Sequence, residues 1–237
     1  MGTVYRLTLR QLSGRWRLLI MAVLAAMPVI IAFLMLRSAN ATSVEDFESV
    51  ILGGMFVGAI APLVVLAIGG PAFANEIEDK TLANLVLAPL PRGSIALPKL
   101  LATITVAAPF MAASAFATSY IAYLGDMTAT LAVTVGAMVG VAMYASAFVW
   151  LGLMTTQAIG VGLFYIVMWE GLFSGFVSGV RLLSIRHYSI ALMHGLDDRR
   201  YAFSSHMNLP VAIIISSLVF GGFLLLSIRR LRRMDVP

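Results

Sequence analysis

The chain has no cysteine, so disulfides and thiolate metal sites are excluded. Charge is scarce as well. Asp, Glu, Lys and Arg make up 11% of the 237 residues, where soluble domains carry about 25%. So few charged groups cannot cover a water-soluble globule of this length. There is no G-x-x-x-x-G-K-[ST] segment to cradle nucleotide phosphates, no G-x-S-x-G and no H-E-x-x-H. The three histidines, His187, His194 and His206, fall at spacings that suit no compact metal motif. No repeat of solenoid period and no low-complexity stretch is present.

What the chain does have is apolar length. Apolar residues make up 60% of it, and they gather into runs long enough to cross a bilayer at roughly 20 residues each. Six spans are expected, at about 18–36, 50–74, 100–124, 129–153, 159–180 and 210–228. Together they form one all-α integral membrane domain, 18–237. Residues 1–17 are expected as an amphipathic interfacial helix. In it Tyr5, Leu9, Leu12 and Trp16 share a face, and Arg6, Arg10, Ser13 and Arg17 a neighbouring one; an ordinary basic flank is the plainer alternative. The first run is a full span without a clear A-x-A cleavage site, which reads as a retained span and not a signal peptide. Pro28, Pro62 and Pro109 lie inside spans, and Gly69-Gly70-Pro71 is expected to break the last turn of span 2. Gly125-Asp126-Met127-Thr128 reads as a tight turn joining spans 3 and 4, and Gly136 and Gly140 fall four apart in span 4.

Charge orients the bundle. With six spans, both termini and the loops at 75–99 and 154–158 share one side, which holds 11 of the 16 Lys and Arg residues. That asymmetry places both termini in the cytoplasm. Arg181, Arg186, Arg199 and Arg200 lie in the segment assigned to the other side and run against it. The net charge of +5 then reads as basic loops beside anionic lipid headgroups, with no nucleic-acid partner.

Between two long apolar runs, Asn75–Lys99, NEIEDKTLANLVLAPLPRGSIALPK, holds a cluster of charges in a chain that has few. Asn75 is expected to cap a short helix with Glu78 reaching back to it. Glu76, Glu78 and Asp79 would then lie in the first turn, where the helix dipole favours acids. Ile77, Leu82, Leu85 and Val86 fall near one face, and the prolines Pro89 and Pro91 stop the helix. On residues alone this reads first as a connector between two spans. The run Glu76-Ile77-Glu78-Asp79-Lys80-Thr81-Leu82, followed by Leu85, Pro89, Arg92, Ile95 and Lys99, resembles the first cytoplasmic loop of ABC-2-type transporter permeases. Those proteins carry an E-x-E-x-x-T-L-like run, a Pro-x-x-Arg turn and a Lys opening the next span. The six spans, the basic amphipathic N-terminus and the mixed segment between spans 5 and 6 fit the same family; Pro98 before Lys99 departs from it. The resemblance implies a permease homodimer bound to two ATPase subunits in the cytoplasmic membrane. It implies a coupling helix seated on the ATPase through Glu76, Glu78, Asp79, Lys80, Thr81, Leu82, Leu85 and Arg92. It also implies no cofactor on this chain, with ATP and magnesium held by the partner, and a role in export; the apolar bundle with few polar residues fits a hydrophobic or amphipathic substrate.

Glu170 is the one acid inside a span, and an intramembrane carboxylate is a candidate for function. It could meet a cationic substrate, take a proton, or make a structural hydrogen bond. Gly171, Gly175 and Gly179 fall four apart, as in a helix-packing seam. Three other functions stay open at this point. One is a haem-export-type permease of cytochrome maturation. Another is a membrane-embedded enzyme using Glu170 or the Asp197-Asp198 pair. The third is a permease-like subunit with a scaffold role only.

Overall fold

In a computed structural model the structure describes residues 2–37, 43–81, 91–173, 184–197 and 207–233. These are helical, with no strand among them. The helices are α1 (Gly2–Leu12), α2 (Arg15–Arg37), α3 (Val44–Glu78) and α4 (Gly93–Ala122). They continue with α5 (Met127–Met154), α6 (Ala158–Tyr165, extended by a π-helical stretch Ile166–Phe173), α7 (Ile185–Leu196) and α8 (Leu209–Arg233). Five of them, α2, α3, α4, α5 and α8, are long and apolar enough to cross a membrane; α6 is apolar but shorter.

Burial ranks the helices. α3 and α5 form the centre: Leu52, Phe56, Val64, Val65, Ile68 and Phe73 on α3, and Val133, Val141, Met143 and Tyr144 on α5, are shut away. α2 and α8 lie outside, with Leu19, Ile20, Val23, Ile30 and Leu34, and Ile213, Ile214, Leu218 and Leu225, exposed. Apolar faces of that extent are not stable against water; lipid is the solvent that suits them.

Several boundaries differ from the sequence expectation. α1 stops at Leu12, and Arg15 already belongs to α2, so residues 1–17 are not one helix. α1 buries Val4, Thr8 and Leu12 at four-residue spacing, while Trp16 is exposed. α3 starts at Val44, where the Ser43 hydroxyl accepts from the Asp46 N–H at 3.1 Å, so part of the polar 38–49 loop is helical. α4 starts at Gly93, before the expected Leu100. The fifth span is described only to Phe173; the rest of 159–180 lies outside the described residues.

Gly69-Gly70-Pro71 does not break α3. Gly70 has helical dihedrals, φ −57° and ψ −54°, and its N–H reaches Leu66 O at 3.0 Å. Pro71 removes one donor, but tertiary packing holds the backbone in line. The glycines serve contact instead of bending. A Cβ on Gly152 of α5 would lie 2.3 Å from the Gly70 carbonyl oxygen, so the two central helices touch backbone to backbone. Gly152→Ala must push them apart, an overpacking cost of about 1–3 kcal/mol. A clear fall in the thermal midpoint of the detergent-purified protein is expected; an unchanged midpoint would show that the helices do not meet there.

The α4–α5 hairpin turns as its residues dictate. Leu124 and Gly125 both take positive φ, 51° and 88°. Gly125 N–H returns to Tyr120 O at 3.0 Å, which closes α4. Asp126 then accepts from Thr128 N–H at 3.0 Å and Ala129 N–H at 3.3 Å and opens α5.

Candidate functional site

Two polar centres stand out in a bundle with little polar chemistry. The first lies where α3 ends and α4 begins. Asn75 is not an N-cap: it is in the last turn of α3, and its carbonyl accepts the Asp79 N–H at 2.8 Å. The short-range pattern Asn-x-x-Glu fits a helix start. Here the preceding span carries its own helix through those residues, so the same letters fall at a helix end. Thr81 N–H bonds Glu76 O at 2.9 Å and Lys80 N–H bonds Ile77 O at 3.2 Å. This is the paired closure of a Schellman end. Lys80 holds the left-handed position, φ 55°, where glycine is usual and another residue costs about 1–2 kcal/mol.

Glu76, Glu78 and Asp79 therefore sit at the negative end of the helix dipole, where acids are unfavourable. A cation answers them. Lys99 of α4 is fully buried and its Nζ lies 2.6 Å from Glu76 Oε1. It also donates to the Ala72 carbonyl and sits 4.5 Å above the Phe73 ring. Glu76 Oε2 is buried without a hydrogen-bond partner among the described residues. Glu78, Asp79, Lys80 and Thr81 are exposed. Beside them α1, the start of α2 and the end of α3 enclose a cavity of about 510 Å³, lined in part by Gln11, Arg17, Asn75, Glu76, Asp79 and Thr81. Of the residues the sequence singled out here, Glu76 is thus built into the bundle and Glu78–Thr81 face outward. Arg92 precedes the first turn of α4 and is half-buried. Leu82 and Leu85 lie outside the described residues, as do Val86 and Pro89.

The second centre surrounds Glu170, which is fully buried in the π-helical stretch of α6. Its Oε1 accepts from the Tyr165 hydroxyl and from the Ile185 N–H, each at 3.1 Å. Its Oε2 accepts from the Ser184 hydroxyl. Ser184 in turn caps α7 by accepting the His187 N–H at 3.3 Å. A carboxylate thus closes the N-terminus of a helix inside the bundle, where the dipole favours it. α7 lies against α5, with the Ser189 hydroxyl donating to Gly136 O at 2.7 Å. Gly136 and Gly140 leave the space that Met193 and Ser189 fill. The Arg186 side chain lies along Gly53 and Gly58 of α3.

Gly171 is exposed, and among the described residues only its own helix comes within 4 Å of where its Cβ would be. Gly175 and Gly179 lie outside the described residues. Asp197 is buried at the end of α7, while Asp198, Arg199, Arg200 and His206 lie outside the described residues. No cluster of metal-ligating side chains occurs among the described residues.

Sequence reasoning did not pair Lys99 with Glu76 or Ser184 with Glu170. No local periodicity links either pair, since each bridges two helices. Only the rarity of charge in apolar surroundings pointed to them, because a buried charge needs a partner.

No curated protein matches the chain. A family model described as ABC-2 family transporter protein matches residues 9–181, most of the bundle and both polar centres up to Glu170, and the chain belongs to that family: it is a multi-pass membrane permease of ABC type, of a family whose permeases generally work with an ABC ATPase subunit.

Proposed function

We propose that this chain is the permease half of an ATP-driven exporter in the cytoplasmic membrane, moved by a separate ATPase that docks at the end of α3. The observation that carries the reading is the pinned junction between α3 and α4. Lys99 ties the last turn of α3 to the first turns of α4 through Glu76 and Ala72, and Glu78, Asp79, Lys80 and Thr81 stand exposed beside the pin. A force applied at 78–81 is passed to two long helices as one body. A flexible connector would absorb it.

In this reading the chain crosses the membrane six times with both termini in the cytoplasm, supported by the basic N-terminal and C-terminal residues. Two permeases pair with two ATPases, which hold ATP and magnesium; this chain supplies no catalytic group. Closure of the ATPases pushes the two 75–99 segments and tilts each bundle between inward- and outward-open states. Work is coupled only if the ATPase binds 78–81 with different free energy in the two states. The scarcity of charge in the bundle favours a hydrophobic or amphipathic cargo.

The test uses tagged protein isolated from its own cells in mild detergent. An ATP-hydrolysing subunit is expected to copurify, and Glu78→Lys/Asp79→Lys is expected to lower its recovery at least about tenfold, the loss of roughly 1.4 kcal/mol of binding. The monodisperse size-exclusion peak should be kept, since both side chains are exposed. No copurifying ATPase, or undiminished recovery with the variant, overturns the reading. The absence of cysteine adds a topology check: Glu78→Cys should be labelled only from the cytoplasmic side.

A further inference from the structure

Between α5, α7 and α8 lies a cavity of about 530 Å³, within the range of small-molecule sites. The described residues that line it are apolar apart from three hydroxyls, those of Thr134, Ser216 and Ser217. Two of these are already bonded. Thr134 donates to the Thr130 carbonyl and Ser217 to the Ile213 carbonyl, each at 2.8 Å. A bond to the carbonyl four residues back is how a helical hydroxyl satisfies itself locally, and Ser227 further along α8 makes it too. Ser216 does not. It is 4% exposed, and its oxygen has no hydrogen-bond partner among the described residues. A buried hydroxyl left unpaired is costly, so its persistence calls for a partner. The cavity that Ser216 lines is where such a partner can sit. Its neighbours along α8 are Ile213, Ile214, Ile215 and Leu218, so a lipid acyl chain reaching this depth brings no hydrogen-bonding atom. Met138 and Met143 line the same space, and their flexible stems adapt to apolar bodies of varied shape. Val135 and Ile213, which also line it, are exposed on the lipid-suited exterior.

We infer that this cavity binds largely apolar molecules that carry a hydroxyl or carbonyl oxygen, taken up from the bilayer, with the Ser216 hydroxyl as their hydrogen-bonding partner. The site shares no residue with the 75–99 segment, and its test needs no ATPase, so either claim can fail without the other.

The experiment uses the full-length chain in lipid nanodiscs and a diazirine-bearing octanol, with labelled residues located by peptide mass spectrometry. Saturable labelling on α5 and α8 around the cavity is expected. 1-Decanol and decane then compete at equal mole fraction in the bilayer. The alcohol should compete at least about fivefold better, the size of one hydrogen bond between neutral groups. Ser216→Ala should bring the two competitors level. It should also leave the thermal midpoint unchanged or raised, because the hydroxyl it removes has no partner among the described residues. Ala142→Phe, which fills the cavity from α5, should abolish labelling there. Should Ala142→Phe fail to fold, the competition on the unaltered chain and Ser216→Ala still decide. Equal competition by decane on the unaltered chain, or labelling that does not saturate, marks a lipid-chain slot and overturns the site. An alcohol preference that survives Ser216→Ala, or a sharp fall in that variant's midpoint, overturns the role of Ser216.

Discussion

Lys99→Met is expected to cost the protein about 3–5 kcal/mol, the effect of removing one partner from a buried ion pair. Met matches the length and volume of the lysine stem, so the space stays filled. What is lost is the charge that answers Glu76 and the donor that meets the Ala72 carbonyl. The Glu76 side chain is only 12% exposed, and its Oε2 already has no partner among the described residues. An uncompensated carboxylate would remain at the negative end of α3, where the dipole also opposes it. Thermal unfolding in detergent should show a large fall in midpoint and a poor yield of monodisperse protein. The double variant Glu76→Gln/Lys99→Met should recover most of the loss, because it removes the stranded charge along with its partner. A single variant no less stable than the double would mean that the pair is not what holds α3 to α4. The same comparison separates structure from coupling. If the double variant folds but no longer supports ATP-dependent transport, the pin transmits force as well as stability.

The contrast between Glu76 and its neighbours shows where the sequence was readable. The charge-poor composition, the apolar runs and the Gly125-Asp126 turn follow from local physics; among the described residues five helices are long and apolar enough to cross a membrane, with ends that lie several residues from those the apolar runs suggest. The 75–99 stretch was conspicuous because polar residues interrupt an apolar chain. Its helix direction was not readable. Asn75 and Glu78 satisfy the spacing of a capping box, and only the packing of Phe73 and the Gly70–Gly152 contact, both tertiary, carry α3 past them to Glu78. The exposure of 78–81 and the burial of 76 were equally hidden, because both depend on where Lys99 comes to rest. Gly152 carried no periodic partner in its own span, yet it makes the closest approach to another helix's backbone among the described glycines. Gly171, which did have such spacing, has only its own helix beside it among the described residues. Small-residue patterns name helices that can approach; the partner across the gap decides which ones do.

Glu170→Ala is expected to release α7, with a loss of several kcal/mol. The substitution strands three donors at once: the Tyr165 hydroxyl, the Ser184 hydroxyl and the Ile185 N–H. Each buried donor left unmade costs about 1–3 kcal/mol, and water in a collapsed apolar site cannot replace the carboxylate. Glu170→Gln should be far milder. Its amide oxygen can still accept from Ile185 N–H and Tyr165, so the loss falls toward the difference between a charged and a neutral hydrogen bond, about 1 kcal/mol. Hydrogen exchange over 185–196 is the sensitive readout, because an uncapped α7 should lose amide protection while α3 and α5 keep theirs. Equal damage from Ala and Gln would show that the negative charge itself holds the helix, through its dipole or a cation, and not through the three hydrogen bonds.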